Sequence, residues 1–301
     1  MILIRDDSTF TWPDPEGGQP FVLQIKSDSD AINPRDDADE NVLSDHLICW
    51  HKRYALGDQH NFDDAEEFLT DLAQTLHVMP SQKATDDDPT VKELMQALYP
   101  VACILPLWLY DHSGLSISCG SANPFNDPWD SGMLGYAYIS KQDMIENRGA
   151  DEANWREKAE ELLKAITETY DQYLRNEVYG YILYRKIPRG GLEELDSCWN
   201  FYGDDLMTNG MPESIGCGLM EALRNDDYEE IPDLTDEDIE GPPPMTLYQA
   251  NQIIAEYGLY VQACPDKTAP KWQVSQNPHS LTTALKYDTL EEALNAFLQQ
   301  D

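Results

Sequence analysis

Basic residues are scarce in this chain, and the shortage excludes one large class of function. The 301 residues include 20 Lys and Arg against 56 Asp and Glu, which gives a formal net charge of −36. A protein that binds DNA or RNA through phosphate contacts needs clustered Lys and Arg. Direct binding to nucleic acid is therefore excluded. Two explanations of the charge remain: a solubility or high-salt adaptation with acids scattered over the surface, or an acidic face that occupies a basic groove on a partner protein.

Long hydrophobic runs and paired cysteines are absent as well. No apolar stretch approaches the ~20 residues that a transmembrane helix needs, so we expect no membrane contact. The apolar start of the chain is brief and two acids follow it, unlike a secretory signal. The six cysteines occur singly, with no C-x-x-C pair, which is typical of reduced thiols. These features predict a cytoplasmic protein.

Patterns typical of cofactor or metal sites are also missing. Gly190-Gly191 and Gly216–Gly218 do not extend into a nucleotide-binding fingerprint. The triplet Asp86–Asp88 lacks the alternating oxygens and the glycine of a calcium loop. Zinc-type ligands are present, but their spacing fits no standard zinc module: His46, Cys49, His51 and His60. We therefore expect no cofactor and no metal.

Apolar and β-branched patterns predict an α+β fold with a mixed or antiparallel central sheet flanked by helices. We expect strands at 21–25, 101–110, 115–118, 134–140, 178–185 and 196–203. We expect helices after Asn61 or Asp63, over 91–98, and from Asp151 or Glu152 to Leu174. Apolar spacing also suits a helix over 42–54, with a strand at 48–50 as the alternative.

Charge and proline divide the chain into three parts. Residues 1–224 form the predicted main domain, of which 1–40 is a loosely ordered lead-in. Residues 225–244 combine nine acids with no Lys or Arg and end in three prolines, which is typical of a stiff, self-repelling linker. Residues 245–301 are predicted to form a small C-terminal module of α-β-β-α order. Capping-box spacing at Thr246/Gln249 and at Thr289/Glu292 indicates where its helices begin.

Five segments of the central part carry a resemblance to known sequences. They are HKRYALGDQH (51–60), LWLYDHSGLSIS (107–118), PWDSGMLGYAY (128–138), YGYIL (179–183) and DSCWNFYG (196–203). They resemble an uncharacterised family of proteins from bacteriophages and other mobile elements, with similar YDHSG and WDSG-x-x-G segments; Met133 and Leu134 depart from its usual residues. The resemblance implies an accessory protein acting in the cytoplasm of a bacterial host, and no known activity. By analogy, acidic proteins of that setting are often counter-defence factors that mimic DNA.

The turn Asp111-His112-Ser113 contains the residue types of a hydrolytic triad. Three consecutive residues cannot form that relay, because a third group must orient the base from elsewhere. A workable arrangement pairs His112 with Ser131 or Cys198 as nucleophile and uses Asp130 as the orienting acid. Otherwise Asp111 and Ser113 cap turns and His112 bonds to nearby backbone. We favour a protein that is not an enzyme and keep the hydrolase as an alternative.

The leading hypothesis is an acidic interaction protein that blocks a basic, nucleic-acid-binding host protein, such as a restriction or CRISPR nuclease, by mimicking DNA. Charge runs are also typical of solvated faces, so the hypothesis requires carboxylates on an ordered, outward-facing surface. A phage structural or assembly protein is a further alternative, and a homodimer stays open. The partner-binding carboxylates are expected in three runs: Asp36, Asp37, Asp39 and Glu40; Asp86, Asp87 and Asp88; and Asp226, Asp227, Glu229, Glu230, Asp233, Asp236, Glu237, Asp238 and Glu240.

Overall fold

The structure is a computed structural model that describes residues 1–4, 8–36, 45–80, 88–187, 190–241, 247–264, 271–276, 287 and 289–298. Five of the acids expected in the partner surface lie outside these residues: Asp37, Asp39, Glu40, Asp86 and Asp87. The chain forms two compact units. The first unit contains residues 1–26, 180–199 and 205–301, and the second contains 27–179 and 200–204.

Helices and strands follow each other without a repeating βαβ order. The strands are β1 (Thr9–Trp12), β2 (Phe21–Ser27), β3 (Asp45–Cys49), β4 (Ala102–Asp111), β5 (Leu115–Cys119), β6 (Ser131–Ser140), β7 (Val178–Lys186), β8 (Leu192–Tyr202), β9 (Glu229–Ile231), β10 (Tyr260–Cys264) and β11 (Lys271–Ser275). The helices are α1 (Ala65–Thr75), α2 (Val91–Leu98), α3 (Lys141–Glu146), α4 (Trp155–Leu174), α5 (Met211–Ile215), α6 (Leu219–Asn225), α7 (Asp236–Glu240), α8 (Leu247–Glu256) and α9 (Leu290–Leu298). The strands pair antiparallel wherever their register is described, so the predicted α+β fold is confirmed.

The second unit is organised around a four-stranded sheet in the order β3-β6-β4-β5. Its longest pair joins β4 to β6 along almost their whole length. Gly135 of β6 lets β3 approach, since a Cβ atom at this position would lie 1.9 Å from the Ile48 carbonyl oxygen. The close approach of these two strands therefore depends on a residue without a side chain.

Helices cover both faces of this sheet. On one face α4 packs against the sheet, and its buried residues share a core with Leu47 and Ala137. On the other face α1 and α2 pack around Ile48 and Tyr136. Neighbouring residues of one strand thus point into different cores, as β-structure requires. The apolar residues of α1 and its two flanks that pack in this core are Phe62, Ala65, Phe68, Leu69, Leu72, Ala73 and Leu76.

Two predictions for the start of this unit are wrong. The segment 42–54 is not a helix, because its described part contains β3 followed by a loop. Its apolar spacing is compatible with a helix or a strand, and hydrogen bonds between Asp45–Cys49 and β6 stabilise the strand. The N-cap of α1 is Asp64, whose side chain accepts two backbone hydrogen bonds from the first turn, and not Asn61 or Asp63.

The first unit contains a five-stranded sheet in the order β8-β7-β2-β1-β9. The lead-in at 1–40 was expected to be loosely ordered with one strand at 21–25, but its described residues include two paired strands. Phe10, Trp12 and Leu23 of these strands are buried. β1 is only four residues long, which is too short for an apolar alternation to stand out in the sequence.

Part of the predicted linker at 225–244 belongs to this sheet. β9 pairs antiparallel with β1, with Glu230 opposite Phe10. α7 follows, and Thr235 and Asp238 form a capping box at its start. Hydrogen bonds therefore order these residues, whereas the domain boundaries after 224 and before 245 stay a prediction.

Beyond the prolines, the chain has the predicted order α8-β10-β11-α9. β10 and β11 pair antiparallel, and Leu259 and Leu294 lie in a small core. The predicted capping box of α9 is confirmed by hydrogen bonds in both directions between Thr289 and Glu292. Thr246, expected to cap α8, lies outside the described residues. Within the described ranges, no helix is long and apolar enough to cross a bilayer.

Candidate functional site

Two polar turns meet at one end of the four-stranded sheet. The first joins β4 to β5 and contains His112 and Ser113, and the second leads into β6. Ser113 adopts a left-handed conformation with a φ of 59°, which suits a tight turn between antiparallel strands. The Asp111 N–H donates to the Asp130 carbonyl at 2.8 Å and so joins the two turns. Both turns therefore lie on neighbouring strands, since β4 pairs with β6.

The turns bring a histidine and a carboxylate together. His112 Nδ1 lies 2.7 Å from Asp130 Oδ2, and the two side chains are 60% and 37% exposed. The N–H groups of Trp129 and Asp130 both donate to Asp127 Oδ1, which fixes the second turn. These two bonds lower the pKa of Asp127 below its ordinary value. The structure thus joins the base and the orienting acid of the hydrolase hypothesis.

The serine of that hypothesis is engaged elsewhere. The Ser131 hydroxyl donates its single hydrogen to the Asp127 carbonyl oxygen. It also accepts a hydrogen bond from Asn123 Nδ2 at 2.9 Å. In this arrangement Ser131 has no hydrogen left to donate to His112, which is the bond that activates a serine nucleophile.

The remaining two residues of the hydrolase hypothesis have separate surroundings. Asp111 forms an ion pair with Arg53, whose side chain is exposed. Exposed ion pairs contribute about 0–1 kcal/mol each, so this one mainly orients the turn. Cys198 is exposed on β8 of the first unit, whereas both turns belong to the second. The arrangement fixes two turns to each other and assembles no relay through Ser131.

A buried group of charges in the second unit was missed by sequence reasoning. The buried Arg35 guanidinium binds Asp58 twice, at 2.6 and 2.9 Å, and Asp45 Oδ2 at 3.2 Å. Arg148 binds the other Asp45 oxygen at 2.6 Å. Burial raises the pKa of Asp58, but hydrogen bonds from His46 and Arg35 lower it further, so the pKa lies below its ordinary value. This network joins distant segments of the chain and stabilises the fold.

The residues considered for zinc have other partners. His46 lies 3.2 Å from Asp58, and the His51 ring accepts hydrogen bonds from two backbone N–H groups. The His60 ring lies 2.9 Å from the Cys49 carbonyl oxygen. Burial raises the pKa of the Cys49 thiol to about 12, so it stays protonated at neutral pH. In the part of the chain that the structure describes, no three His, Cys, Asp or Glu side chains are grouped to hold a metal.

The acids of the first unit's run are exposed, and several of them lie on ordered elements. β9 places Glu229 and Glu230 on opposite faces of the sheet edge, since adjacent strand residues point in opposite directions. α7 places three acids in its first turn, where the helix dipole favours negative charge. Asp36 and Asp88, the described members of the other two runs, are exposed on the second unit. All nine carboxylates of the first unit's run are exposed, and we call them the acidic edge: Asp226, Asp227, Glu229, Glu230, Asp233, Asp236, Glu237, Asp238 and Glu240.

β8 is the other edge strand of this sheet, opposite to β9. It begins at Leu192 rather than at the predicted residue 196, because the sequence there lacks a clear apolar alternation. Its start lies beside the end of α7, since a Cβ atom at Gly191 would be 2.9 Å from Gly241 N and 3.0 Å from Glu240 O. The strand adds three exposed acids: Glu193, Glu194 and Asp196.

The site is therefore chemically suited to attract and bind cationic groups. Its carboxylates are exposed, and the end of α7 lies beside the start of the edge strand β8. Comparisons with protein-family models, with curated proteins and with solved structures found no match for this chain.

Proposed function

We propose that this chain is an acidic interaction protein, of phage or other mobile-element origin, that blocks the nucleic-acid-binding surface of a host protein as a DNA mimic. The partner is a basic nuclease or a subunit of a restriction or CRISPR-type complex. The acidic edge carries this proposal, since all nine of its carboxylates are exposed and no Lys or Arg interrupts the run.

The order of the acidic edge supports binding as well as attraction. Fixing the backbone of one residue costs about 1–2 kcal/mol, and a flexible acidic tail meets that cost when it binds. Here β9 is already paired with β1, and α7 already has its capping box.

The overall charge supports rapid capture of a cationic partner. A net charge of −36 produces a negative field that steers positive surfaces toward the chain. Salt screens such fields over about 10 Å at 0.1 M, so association should slow and affinity should fall steeply as salt rises. Salt-insensitive binding would contradict a mechanism based on carboxylates.

The test is competition with DNA. The full chain is added to restriction and CRISPR-type nucleases that are bound to fluorescent duplex DNA, and displacement is measured at low and high salt. One variant converts five members of the acidic edge to amides: Glu229→Gln, Glu230→Gln, Asp236→Asn, Glu237→Gln and Glu240→Gln. The control makes the same charge change with exposed acids of the second unit: Glu66→Gln, Asp71→Asn, Glu157→Gln, Glu161→Gln and Glu168→Gln.

The matched variants separate a specific surface from total charge. We expect the acidic-edge variant to lose at least about tenfold in affinity, and the control to lose clearly less. Equal losses would place the binding surface elsewhere. A chain that displaces DNA from none of these proteins at low salt would refute the proposed function.

A hydrolase is the second candidate, and the His112–Asp130 pair favours it. Ser131 counts against it because its hydroxyl donates to Asp127. Ester, peptide and phosphodiester substrates should be screened with the wild type, with His112→Gln and with Asp130→Asn. Turnover that both substitutions abolish would support the hydrolase over the DNA mimic.

A further inference from the structure

We propose that the outer edge of β8 is a docking site for an extended, Lys- and Arg-rich segment of the partner protein, which pairs with β8 and enlarges the five-stranded sheet. This site rests on the function proposed above, because it specifies which part of the basic partner is bound and by which contacts. Basic extended arms are common in nucleic-acid-binding proteins, where they contact phosphates.

β8 is an edge strand with little cover. It spans Leu192–Tyr202, and among the described strands only β7 pairs with it. Every residue from Glu193 to Trp199 is exposed, so solvent reaches both faces of the strand. Long open edges are templates for another strand, and proteins usually shorten or cover them. The exposed part of β8 is therefore long enough to pair with a segment of ordinary strand length.

The packing of Trp199 indicates which residues turn their backbone groups away from β7. Val178 O and Lys186 N of β7 bond to residues that flank β2, so the even-numbered residues of β7 turn their backbone groups toward β2. The Trp199 ring lies over Gly180 on the same face of the sheet, so Trp199 stands opposite this set and faces outward, as does Ser197 two residues earlier. The outward Ser197 N–H donates to the neighbouring Asp196 Oδ1 at 2.9 Å, and an incoming strand can replace this local bond with a backbone hydrogen bond.

Apolar side chains of β8 provide contacts beyond the backbone. Leu195 and Trp199 are each 42% exposed. The Trp199 ring lies over Gly180 of β7, where an added Cβ would come within 2.0 Å of the ring. Trp199 is thus fixed by the sheet on one side and accessible on the other, as expected for an aromatic anchor in an interface. An edge whose acids served only to prevent aggregation would not expose leucine and tryptophan.

Charge decides which occupant fits. Pairing β8 with β8 of a second copy would bring two sets of Glu193, Glu194 and Asp196 together, and like charges on facing strands are destabilising. No Lys or Arg occurs between Leu192 and Tyr202 to offset that repulsion. Glu240, at the end of α7, lies beside Gly191 at the start of β8 and adds further negative charge. A strand with Lys or Arg at alternate positions gains favourable cross-strand pairs instead.

The experiment uses the full chain and two synthetic peptides of about ten residues. One peptide alternates lysine with valine. The other has the same number of lysines but contains prolines, which prevent backbone pairing. Dissociation constants are measured by calorimetry, and hydrogen exchange reports whether amides of 193–199 become protected. The variants are Ser197→Pro, which removes an outward N–H, Ser197→Ala, which keeps it, and Leu195→Ser, which trims an exposed contact.

We expect the alternating peptide to bind at least about tenfold more tightly than the proline peptide, since only the former can extend the ladder. Ser197→Pro should weaken its binding at least about tenfold, while Ser197→Ala stays within about twofold of the wild type. Leu195→Ser should weaken binding of the alternating peptide several-fold. If Ser197→Pro does not fold, Leu195→Ser is the variant that tests whether the peptide binds at β8. Protection of 193–199 should appear only with the alternating peptide.

Two results would overturn the β8 site. Equal binding of both peptides, unaffected by Ser197→Pro and Leu195→Ser, would show attraction by charge alone. In that case the function proposed above would stand if the acidic-edge variant still lost affinity for the nucleases. If neither peptide bound at low salt, both the β8 site and the proposed function would be refuted. Self-association of the chain that Ser197→Pro abolishes would identify a second copy as the occupant.

Discussion

Replacement of the buried Arg35 by methionine should destabilise the second unit by about 3–4 kcal/mol. The Arg35 side chain is 4% exposed and donates to both oxygens of Asp58, to Asp45 Oδ2 and to the Asp45 carbonyl. Removing one partner of a buried ion pair costs about 3–5 kcal/mol, because the other charge is left unpaired. Arg148 and His46 still contact the two carboxylates, which places the expected cost in the lower part of that range.

A second substitution separates the unpaired charge from lost packing. In Arg35→Met/Asp58→Asn the Asp58 charge is removed together with its partner. The double variant should therefore be more stable than the sum of the two single variants predicts, with a coupling energy of about 1–3 kcal/mol. Urea unfolding followed by circular dichroism gives the free energies. Additive effects of the two substitutions would show that the ion pair does not contribute as described.

The pH dependence gives an independent check of the same network. The pKa of Asp58 is lower in the folded protein than its ordinary value of 3.8, so its stabilising effect is present above that value and is lost as pH falls through the folded pKa. Without Arg35 the pKa of Asp58 should rise, and protonation then removes the unpaired charge. The cost of Arg35→Met should therefore be smaller at pH 4 than at pH 7. A cost below about 1 kcal/mol at pH 7, or an equal cost at both pH values, would refute this account.

Three further experiments test how individual residues are packed and exposed. Gly135→Ala should cost at least about 2 kcal/mol in thermal unfolding, since the new Cβ meets the Ile48 carbonyl, whereas Gly132→Ala, which meets nothing within 4 Å, should cost little. Thr90→Ala should cost about 1 kcal/mol because it removes the capping box of α2; no change would show that the cap is dispensable. Among the five cysteines whose exposure the structure describes, a thiol reagent at pH 8, followed by peptide mapping, should modify the exposed Cys198 and Cys217 first. Burial raises the pKa of Cys49 to about 12 and the pKa of Cys103 and Cys119 to about 11, so these three thiols should react slowly. Equal rates for the exposed and the buried thiols would contradict this order.

Elements with many periodic residues were predictable from sequence. β4, β6 and α4 each contain ten or more residues, so their apolar pattern repeats often enough to identify them. β1 and β3 are four and five residues long, and their pairing with distant strands determines their structure. Asp45–Cys49 could have formed part of a helix, and only β6 makes the strand more favourable.

The candidate site was predictable in composition more than in geometry. The sequence shows that the acidic run contains no Lys or Arg. It does not show that part of the run pairs with β1, where Glu230 lies opposite Phe10. His112 and Asp130 could be expected to lie close together, because each lies in a turn next to one of two neighbouring strands. Arg35 is the only basic residue of 28–40, but nothing in the sequence indicates that it pairs with Asp45 and Asp58.

The sequence by itself determined the sign and density of charge, the α+β composition and the positions of the long elements, because these depend on residue types and short-range periodicity. The tertiary structure decided which acids are fixed, which strand is left at the edge and which charges are buried. Those properties arise from contacts between residues far apart in the chain, such as β9 with β1 and Arg148 with Asp45. No local pattern encodes such contacts, since their free energy comes from burial and hydrogen bonding that exist only after the segments have met.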